Sequence, residues 1–182
     1  MKIILGTANV AKKYGLNSNN LKIKDFNKTK KYLKKNNFFL EISKDYKNIK
    51  YTINNKLKLF YKINFFKNKN NFNKLQKLSK KKNIFCLMVH SVQSVKLKEF
   101  NELYEYMCFL KSQKLIKSIG ISIYDLKDLN IIKKYNFDYI QVPLNLFNQT
   151  FNKTNTQNLR KRGTKFIARS VLFQGLIFND NY

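Results

Sequence analysis

The sequence predicts an α/β fold in which a parallel sheet curls into a (β/α) barrel. Short apolar runs alternate with amphipathic segments about every 25 residues, a spacing typical of βα units. The runs are continuously apolar, as in strands that a parallel sheet buries on both faces. Several of them end in a polar residue, and the active sites of such barrels lie at the C-terminal ends of the strands.

The N-terminal half carries four predicted strands and two predicted helices. The first strand ends in the small residues Gly6 and Ala8, which would let another group approach the backbone. The third strand carries Lys62 near its end, and the fourth ends in His90, the single histidine of the chain. The predicted strands are 2–8, 38–42, 57–63 and 84–90, and the predicted helices are 24–35 and 70–82.

The C-terminal half continues the alternation with three strands. The segment 95–114 has the strongest helical pattern, because apolar residues recur at the spacing of one helix face. These residues are Leu97, Phe100, Leu103, Tyr104, Met107 and Leu110. A shorter helix is predicted over 126–135, whereas residues 150–163 are polar and predict no element. The remaining predicted strands are 116–122, 138–144 and 165–170.

Composition indicates one globular domain over residues 1–182, with a hydrophobic fraction of 43%. The formal net charge of +27 would favour a polyanion-binding surface. However, the cations are nearly all lysines spread along the chain, with Arg160, Arg162 and Arg169 the only arginines. Lysine, asparagine, isoleucine, phenylalanine and tyrosine share codons rich in A and T, so a biased base composition accounts for the charge. No specific nucleic-acid partner is therefore expected.

Targeting signals and common nucleotide motifs are missing from the sequence. No apolar run approaches the ~18–20 residues of a membrane span, and no signal peptide begins the chain. Cys86 and Cys108 are far apart and form no Cys-x-x-Cys motif, which favours a reducing compartment. We therefore expect a cytoplasmic protein without membrane association and without a metal site. Gly-x-Gly-x-x-Gly and P-loop motifs do not occur, which argues against those phosphate-binding sites.

Several phrases, in order along the chain, resemble the aldo-keto reductases, and most of all a bacterial branch of that family. Each phrase is weak alone, but together they span essentially the whole sequence. They are Leu-Gly-Thr-Ala at 5–8 with Tyr14-Gly15, Leu-Met-Val-His-Ser at 87–91, Ile-Lys-Ser-Ile-Gly-Ile-Ser at 116–122, Tyr-Ile-Gln-Val-Pro-Leu-Asn at 139–145, and Ala-Arg-Ser-Val-Leu-Phe-Gln-Gly-Leu at 168–176.

The resemblance implies a TIM-type (β/α)8 barrel that reduces an aldehyde or ketone to an alcohol with NADPH. The family works through an Asp-Tyr-Lys-His tetrad. Its phrase Asp-Thr-Ala-x-x-Tyr-Gly matches residues 41–47, so Tyr46 takes the tyrosine position and Glu41 stands where the family has aspartate. Lys62 takes the lysine position and His90 the histidine position. By the same resemblance Ser122, Gln141 and Asn145 would hold the nicotinamide amide, and Arg169 and Gly175 would contribute to cofactor binding.

The tetrad has a chemical rationale. Hydride delivery to a carbonyl leaves an alkoxide that needs a proton, so a positioned acid is required. Tyrosine has a pKa of about 10, and a buried ammonium beside it would lower that pKa by stabilising the phenolate. A carboxylate holds the lysine, and the histidine would hydrogen-bond the substrate carbonyl. The cofactor supplies the hydride chemistry, and the protein supplies placement and electrostatics.

The sequence also departs from the family pattern. Glu41 is one methylene longer than aspartate, and the region of the family's eighth strand and last helices is missing. We therefore expect an incomplete barrel of about seven strands, shortened at the C-terminus. Three explanations stay open: the chain is a fragment, a second copy or another partner completes the barrel, or the barrel is a decayed relative of the family. The leading interpretation is an NADPH-dependent reductase. The alternatives are a catalytically decayed barrel acting as a binding or scaffold module, and a basic nucleic-acid-binding protein.

Overall fold

The computed structural model describes residues 3–10, 22–43, 46, 57–64 and 69–173. Within these ranges the chain forms one sheet of seven parallel strands whose order follows the sequence, β1 to β7. Each strand pairs with the next, as in the contact of Phe39 with Lys58 or of Tyr139 with Lys165. The strands are β1 Ile4–Gly6, β2 Phe39–Ser43, β3 Lys58–Ile63, β4 Ile84–Val89, β5 Ser118–Ser122, β6 Tyr139–Pro143 and β7 Lys165–Arg169.

Among the described residues, helices lie between β1 and β2 and in each connection from β3 to β7, as parallel pairing requires. The α-helices are α1 Ile23–Lys35, α2 Lys69–Lys81, α3 Phe100–Ser112, α4 Lys127–Ile132 and α5 Lys153–Lys161, and a 3-10 helix spans Val92–Lys96. None of the helices in the described ranges is long and apolar enough to span a membrane. The predicted alternation of strand and helix, and with it the α/β barrel class, is confirmed.

Two helix predictions differ from the structure. The predicted helix over 95–114 divides into the 3-10 helix and α3, and Leu97 lies between them with 37% of its surface exposed. The division follows a capping contact, since the Ser91 side chain accepts a hydrogen bond from the N–H of Gln93 and starts a separate turn. Helix α5 was missed because its sequence is almost wholly polar. Its N-cap, Asn152, accepts from the N–H of Asn155 at 2.9 Å.

Side chains on the two faces of the sheet have different partners. The outward face packs beneath the helices in the main core, which includes Leu40, Leu87, Ile121 and Val142. The inward face encloses a second, smaller cluster built from Phe39, Phe60, Cys86 and Met88, with Tyr139 and Ile167 packed against it. Because successive strand residues point to opposite faces, residues two positions further along point inward as well.

On β2, β3, β6 and β7 those next inward positions are polar. We call Phe39, Phe60, Tyr139 and Ile167 the floor of the barrel interior, and Glu41, Lys62, Gln141 and Arg169, each two residues further along its strand, the mouth. Glu41 on β2 contacts Gln141 on β6, which shows that the sheet is curled into a barrel wall. The mouth lies toward the C-terminal ends of the strands, where the sequence placed the site.

Gly120 allows the strands to approach closely in the middle of the wall. A Cβ at this position would lie 2.8 Å from the carbonyl oxygen of Tyr139 and 3.2 Å from Cγ of Met88. A side chain here would therefore push β5 away from β6. At Gly6, where the sequence predicted a close approach, a Cβ would meet no described atom within 4 Å.

The two ends of the sheet are less covered than its middle. Every residue of β2 and β5 is buried, whereas β7 has none that is fully buried. In the described part of the chain, β1 pairs with β2 alone and β7 with β6 alone. These residues thus supply seven strands of a (β/α)8 barrel, as the sequence predicted.

Candidate active site

A buried ion pair lies at the centre of the mouth. Nζ of Lys62 on β3 is 3.0 Å from Oε1 of Glu41 on β2, and the two side chains are 5% and 10% exposed. Both point inward because each lies two residues beyond a floor residue of its strand. A buried ion pair adds little net stability, since desolvation of the two charges offsets their attraction. Its presence inside the barrel therefore favours a chemical role.

Gln141 on β6 links both charges of this pair. Its Oε1 accepts a hydrogen bond from Nζ of Lys62 at 2.5 Å, and its Nε2 donates to Oε2 of Glu41. Ser122 at the end of β5 adds a longer contact, because its hydroxyl donates to Oε1 of Gln141 at 3.4 Å. Four of the residues predicted for the site are thus brought together in one buried network.

The surroundings of Lys62 lower the pKa of its ammonium below the usual range. Burial is the main cause, because removal from water disfavours the charged form. Glu41 opposes the shift through its negative charge and its hydrogen bond, and the positive charge of Arg169 adds to it. Perturbed pKa values cluster at functional sites, so this shift marks Lys62 as a candidate site residue.

His90 and Tyr46 form a second group at the mouth. Their ring centroids are 6.3 Å apart in an edge-to-face arrangement, and both residues are half-buried. The backbone N–H of His90 donates to the carbonyl of Ile63 at 2.8 Å, which fixes the chain just beyond β4. The ring nitrogen Nδ1 of His90 lies 3.4 Å from the hydroxyl oxygen of Ser43.

Two contacts that position residues of the site were not predicted from the sequence. Ser43 is fully buried beside His90, and its signal is that it points inward two residues after Glu41. Thr7 is also fully buried, and its hydroxyl donates to the backbone carbonyl of Glu41 at 2.9 Å. Thr7 belongs to the Leu-Gly-Thr-Ala phrase, so the resemblance marked the position without giving it a role.

Arg169 lies at the end of β7, at the border of the site. Its guanidinium stacks on the ring of Tyr124, with Cζ 3.8 Å from the ring centroid, and Nη2 donates to the carbonyl of Ile123 at 3.5 Å. Its Nε is buried and finds no hydrogen-bond acceptor in the described ranges. A buried donor without an acceptor is costly, and an anionic ligand would satisfy it.

One predicted cofactor residue, Asn145, makes its hydrogen bonds outside this network. The Oδ1 atom of Asn145 accepts from the N–H groups of Phe147 and Asn148, and its Nδ2 donates to the carbonyl of Ser170 at 3.3 Å. These bonds shape the loop after β6 and tie it to the end of β7. Gly175 and the Tyr14-Gly15 phrase lie outside the described residues.

Comparison with known proteins shows the family. The model of the aldo/keto reductase family matches residues 43–182, which is most of the chain. The chain therefore belongs to the aldo/keto reductase family. The match contains Tyr46, Lys62 and His90 and begins just after Glu41. A search of curated protein sequences finds no match.

Solved structures of similar fold are aldo-keto reductases. A crystal structure from Pseudomonas aeruginosa, of a protein assigned to this family, has a TM-score of 0.70 and 14% identity over 96% of this chain and 74% of its own. The holo form of AKR11C1 from Bacillus halodurans has a TM-score of 0.67 and 13% identity, covering 96% and 63%. AKR2E4 from Bombyx mori, in complex with NADP, has a TM-score of 0.60 and 16% identity, covering 92% and 62%. At these identities the likeness concerns the fold.

Proposed function

We propose that this protein reduces an aldehyde or ketone to an alcohol with NADPH. The observation that carries the proposal is the buried pair of Lys62 and Glu41 at the mouth of a barrel of this family. In this proposal Tyr46 is the acid that protonates the developing alkoxide, and Lys62 lowers its pKa by stabilising the phenolate. An ammonium has three donors, and Glu41 and Gln141 engage two of them. The third serves the phenolic oxygen.

His90 orients the substrate in this mechanism. If the Ser43 hydroxyl donates to Nδ1, the remaining ring proton sits on Nε2 and can be donated to a carbonyl oxygen. Ser43 is therefore a positioning residue that selects the tautomer. The substrate is a small carbonyl compound.

NADPH, when bound, would supply the hydride. Ser122 lies at the mouth and is assigned to the nicotinamide side, and Arg169 is assigned to a negatively charged part of the cofactor. The donor set fits this assignment, because Nε of Arg169 is a buried donor without an acceptor among the described residues. Asn145 and Gly175 remain predictions for the same cofactor site.

Cofactor binding is the first test, measured at about 50 and about 300 mM salt with NADH and plain polyphosphate as controls. A chain of charge +27 attracts any phosphate at low salt, so the higher salt is the informative condition. Saturable binding that persists at high salt and prefers NADPH is expected. Binding that disappears with salt, or that polyphosphate matches, would contradict the proposal and support the decayed or nucleic-acid-binding alternatives.

Turnover with a panel of aldehydes and ketones is the second test. Tyr46→Phe removes the proton donor and should lower the rate about 10²- to 10⁴-fold, the usual contribution of a positioned acid. Tyr32→Phe is the matched control, because Tyr32 is 60% exposed on α1. Full turnover by Tyr46→Phe would refute the assigned mechanism.

A further inference from the structure

We propose that Gln141 is a positioning residue for Lys62, and that the long side chain of Glu41 holds Gln141 in that role. The inference rests on the proposed function, because Lys62 tunes the acid there. The observation is a closed ring of three contacts: Lys62 to Glu41 at 3.0 Å, Lys62 to Gln141 at 2.5 Å, and Gln141 to Glu41. By resemblance alone, Gln141 was expected to hold the nicotinamide amide.

An amide suits both charges of the pair at once. The carbonyl oxygen of Gln141 accepts from the ammonium of Lys62 and from Ser122, while its NH2 group donates to the carboxylate of Glu41. Gln141 is 3% exposed, so these groups satisfy each other without water. A neutral amide stabilises both ions and adds no charge of its own. Its oxygen already accepts two hydrogen bonds, one from Lys62 of the pair and one from Ser122.

The length of Glu41 makes the contact possible. Glu41 uses Oε1 for Lys62 and Oε2 for Gln141, which lies across the interior on β6. The family carries aspartate at this position, and aspartate is shorter by one carbon–carbon bond of about 1.5 Å. A carboxylate drawn back by this distance would lose one of its two partners. The glutamate that replaces the family's aspartate at position 41 is thus what allows Gln141 to contact the pair.

The ring acts on the charge of Lys62. Among the described residues, Glu41 on β2 favours the ammonium, and burial and Arg169 on β7 favour the neutral amine. The oxygen of Gln141 adds a second acceptor to the ammonium, which favours the charged form. Removing that oxygen should make Lys62 lose its proton at lower pH. Tyr46 is the group that would respond in the proposed function.

A double-mutant cycle tests the inference without any activity measurement. Gln141→Met removes the amide at similar volume, and Glu41→Asp shortens the carboxylate arm. In the parent, Gln141→Met should raise the unfolding equilibrium constant about tenfold or more, as expected when buried charges lose a hydrogen bond. In the Glu41→Asp background the same change should have less than a threefold effect. Gln93→Met, at an exposed glutamine, is the matched control and should change little.

An equal effect of Gln141→Met in both backgrounds would overturn the proposal, because it would make Gln141 an ordinary core residue. If Gln141→Met does not fold, Gln141→Glu keeps the volume and places a second carboxylate against Glu41. That variant should then unfold more readily as pH rises from about 5 to 8, because the introduced carboxyl group ionises beside the carboxylate of Glu41. A flat profile would count against the contact.

Kinetics separate positioning from cofactor binding. Gln141→Met should lower kcat and move the alkaline limb of the pH profile down by about one pH unit, with KM for NADPH changed less than threefold. A KM raised tenfold at unchanged kcat would show a cofactor ligand and overturn the proposal. If the parent protein reduces no carbonyl, the proposed function fails, while the stability cycle still decides the role of Gln141 in the ring.

Discussion

The floor and the mouth of the barrel interior are built by the same strands and differ completely in chemistry. At the floor, Phe60 packs edge to face against Phe39 at 5.2 Å and Tyr139 at 5.3 Å between ring centroids. Two residues further along the strands, Lys62 and Gln141 form the polar network. The comparison shows that the inward-facing positions of the same strands serve two purposes. Those at the floor provide apolar packing, and those at the mouth place charged and polar side chains. Stability and activity should therefore separate by layer.

The largest expected effect lies at the floor. Phe60→Ala should lower the free energy of unfolding by about 3–5 kcal/mol, because it leaves a cavity in a side-chain cluster that is almost wholly buried. Chemical denaturation measures this change. Phe109→Ala is the matched control, since Phe109 is 44% exposed, and it should cost less than about 1 kcal/mol. A similar loss of unfolding free energy in both variants would show that the floor contributes no more to stability than an exposed aromatic residue does.

At the mouth, stability should depend on whether the buried charges are paired rather than on side-chain volume. Lys62→Met should cost about 3 kcal/mol of stability, because it leaves the Glu41 carboxylate buried without its cation. Adding Glu41→Gln removes that charge and should restore stability to within about 1 kcal/mol of the parent, with reductase activity still absent. Denaturation and turnover are measured on the same samples. A double variant no more stable than Lys62→Met would contradict the comparison.

The sheet itself requires a glycine at position 120, where β5 and β6 approach closely. Gly120→Ala should cost about 1–3 kcal/mol, because the added methyl meets a backbone carbonyl at 2.8 Å. Gly6→Ala is the matched control, since its Cβ meets no described atom within 4 Å, and it should be close to neutral. Thermal unfolding of the two variants compares them directly. Equal stability would mean that β5 and β6 can separate freely.

The smallest expected effect is a pH dependence at Cys86, which lies in the same buried cluster as Phe39 and Phe60 of the floor. Burial raises the pKa of the Cys86 thiol well above its usual range, with a further contribution from the charge of Asp138. Above the usual thiol pKa of about 8.5, the unfolded chain loses this proton while the folded chain keeps it, so stability falls as pH rises. The loss is about 1.4 kcal/mol per pH unit at most.

Cys86→Ala should flatten the stability profile between about pH 8.5 and 10, relative to the parent at each pH. Urea denaturation at several pH values measures both slopes. An identical slope in Cys86→Ala and the parent would place the alkaline sensitivity elsewhere.

Much of the fold follows from local patterns in the sequence. The run 84–90 reads as a buried strand because both faces of a parallel strand are covered, and Lys62 and His90 were placed at strand ends by the same reasoning. Helix α5 was missed because almost no apolar residue marks a buried face, although Thr156 is buried on it. Its signal is the cap at Asn152, which hydropathy does not register.

The sequence selects candidate residues for the site, and the structure adds how some of them contact one another. Order and spacing along the chain selected Glu41, Tyr46 and Lys62 from many similar residues. The contact of Gln141 with Glu41 depends on how far the sheet curls and on the length of one side chain, which no local pattern encodes. The stacking of Arg169 on Tyr124 depends in the same way on the meeting of two strand ends.

The strand order has a consequence for how the protein is made. Every strand pairs with the next one synthesised, so pairing of the sheet can advance as the chain leaves the ribosome. Glu41 and Gln141, by contrast, are 100 positions apart. The nascent chain must therefore carry its lysine–glutamate pair through the synthesis of β4, β5 and β6 before the amide that joins both charges exists. The strands of the sheet are synthesised one after another, and the amide that contacts both charges of the pair is added only with β6.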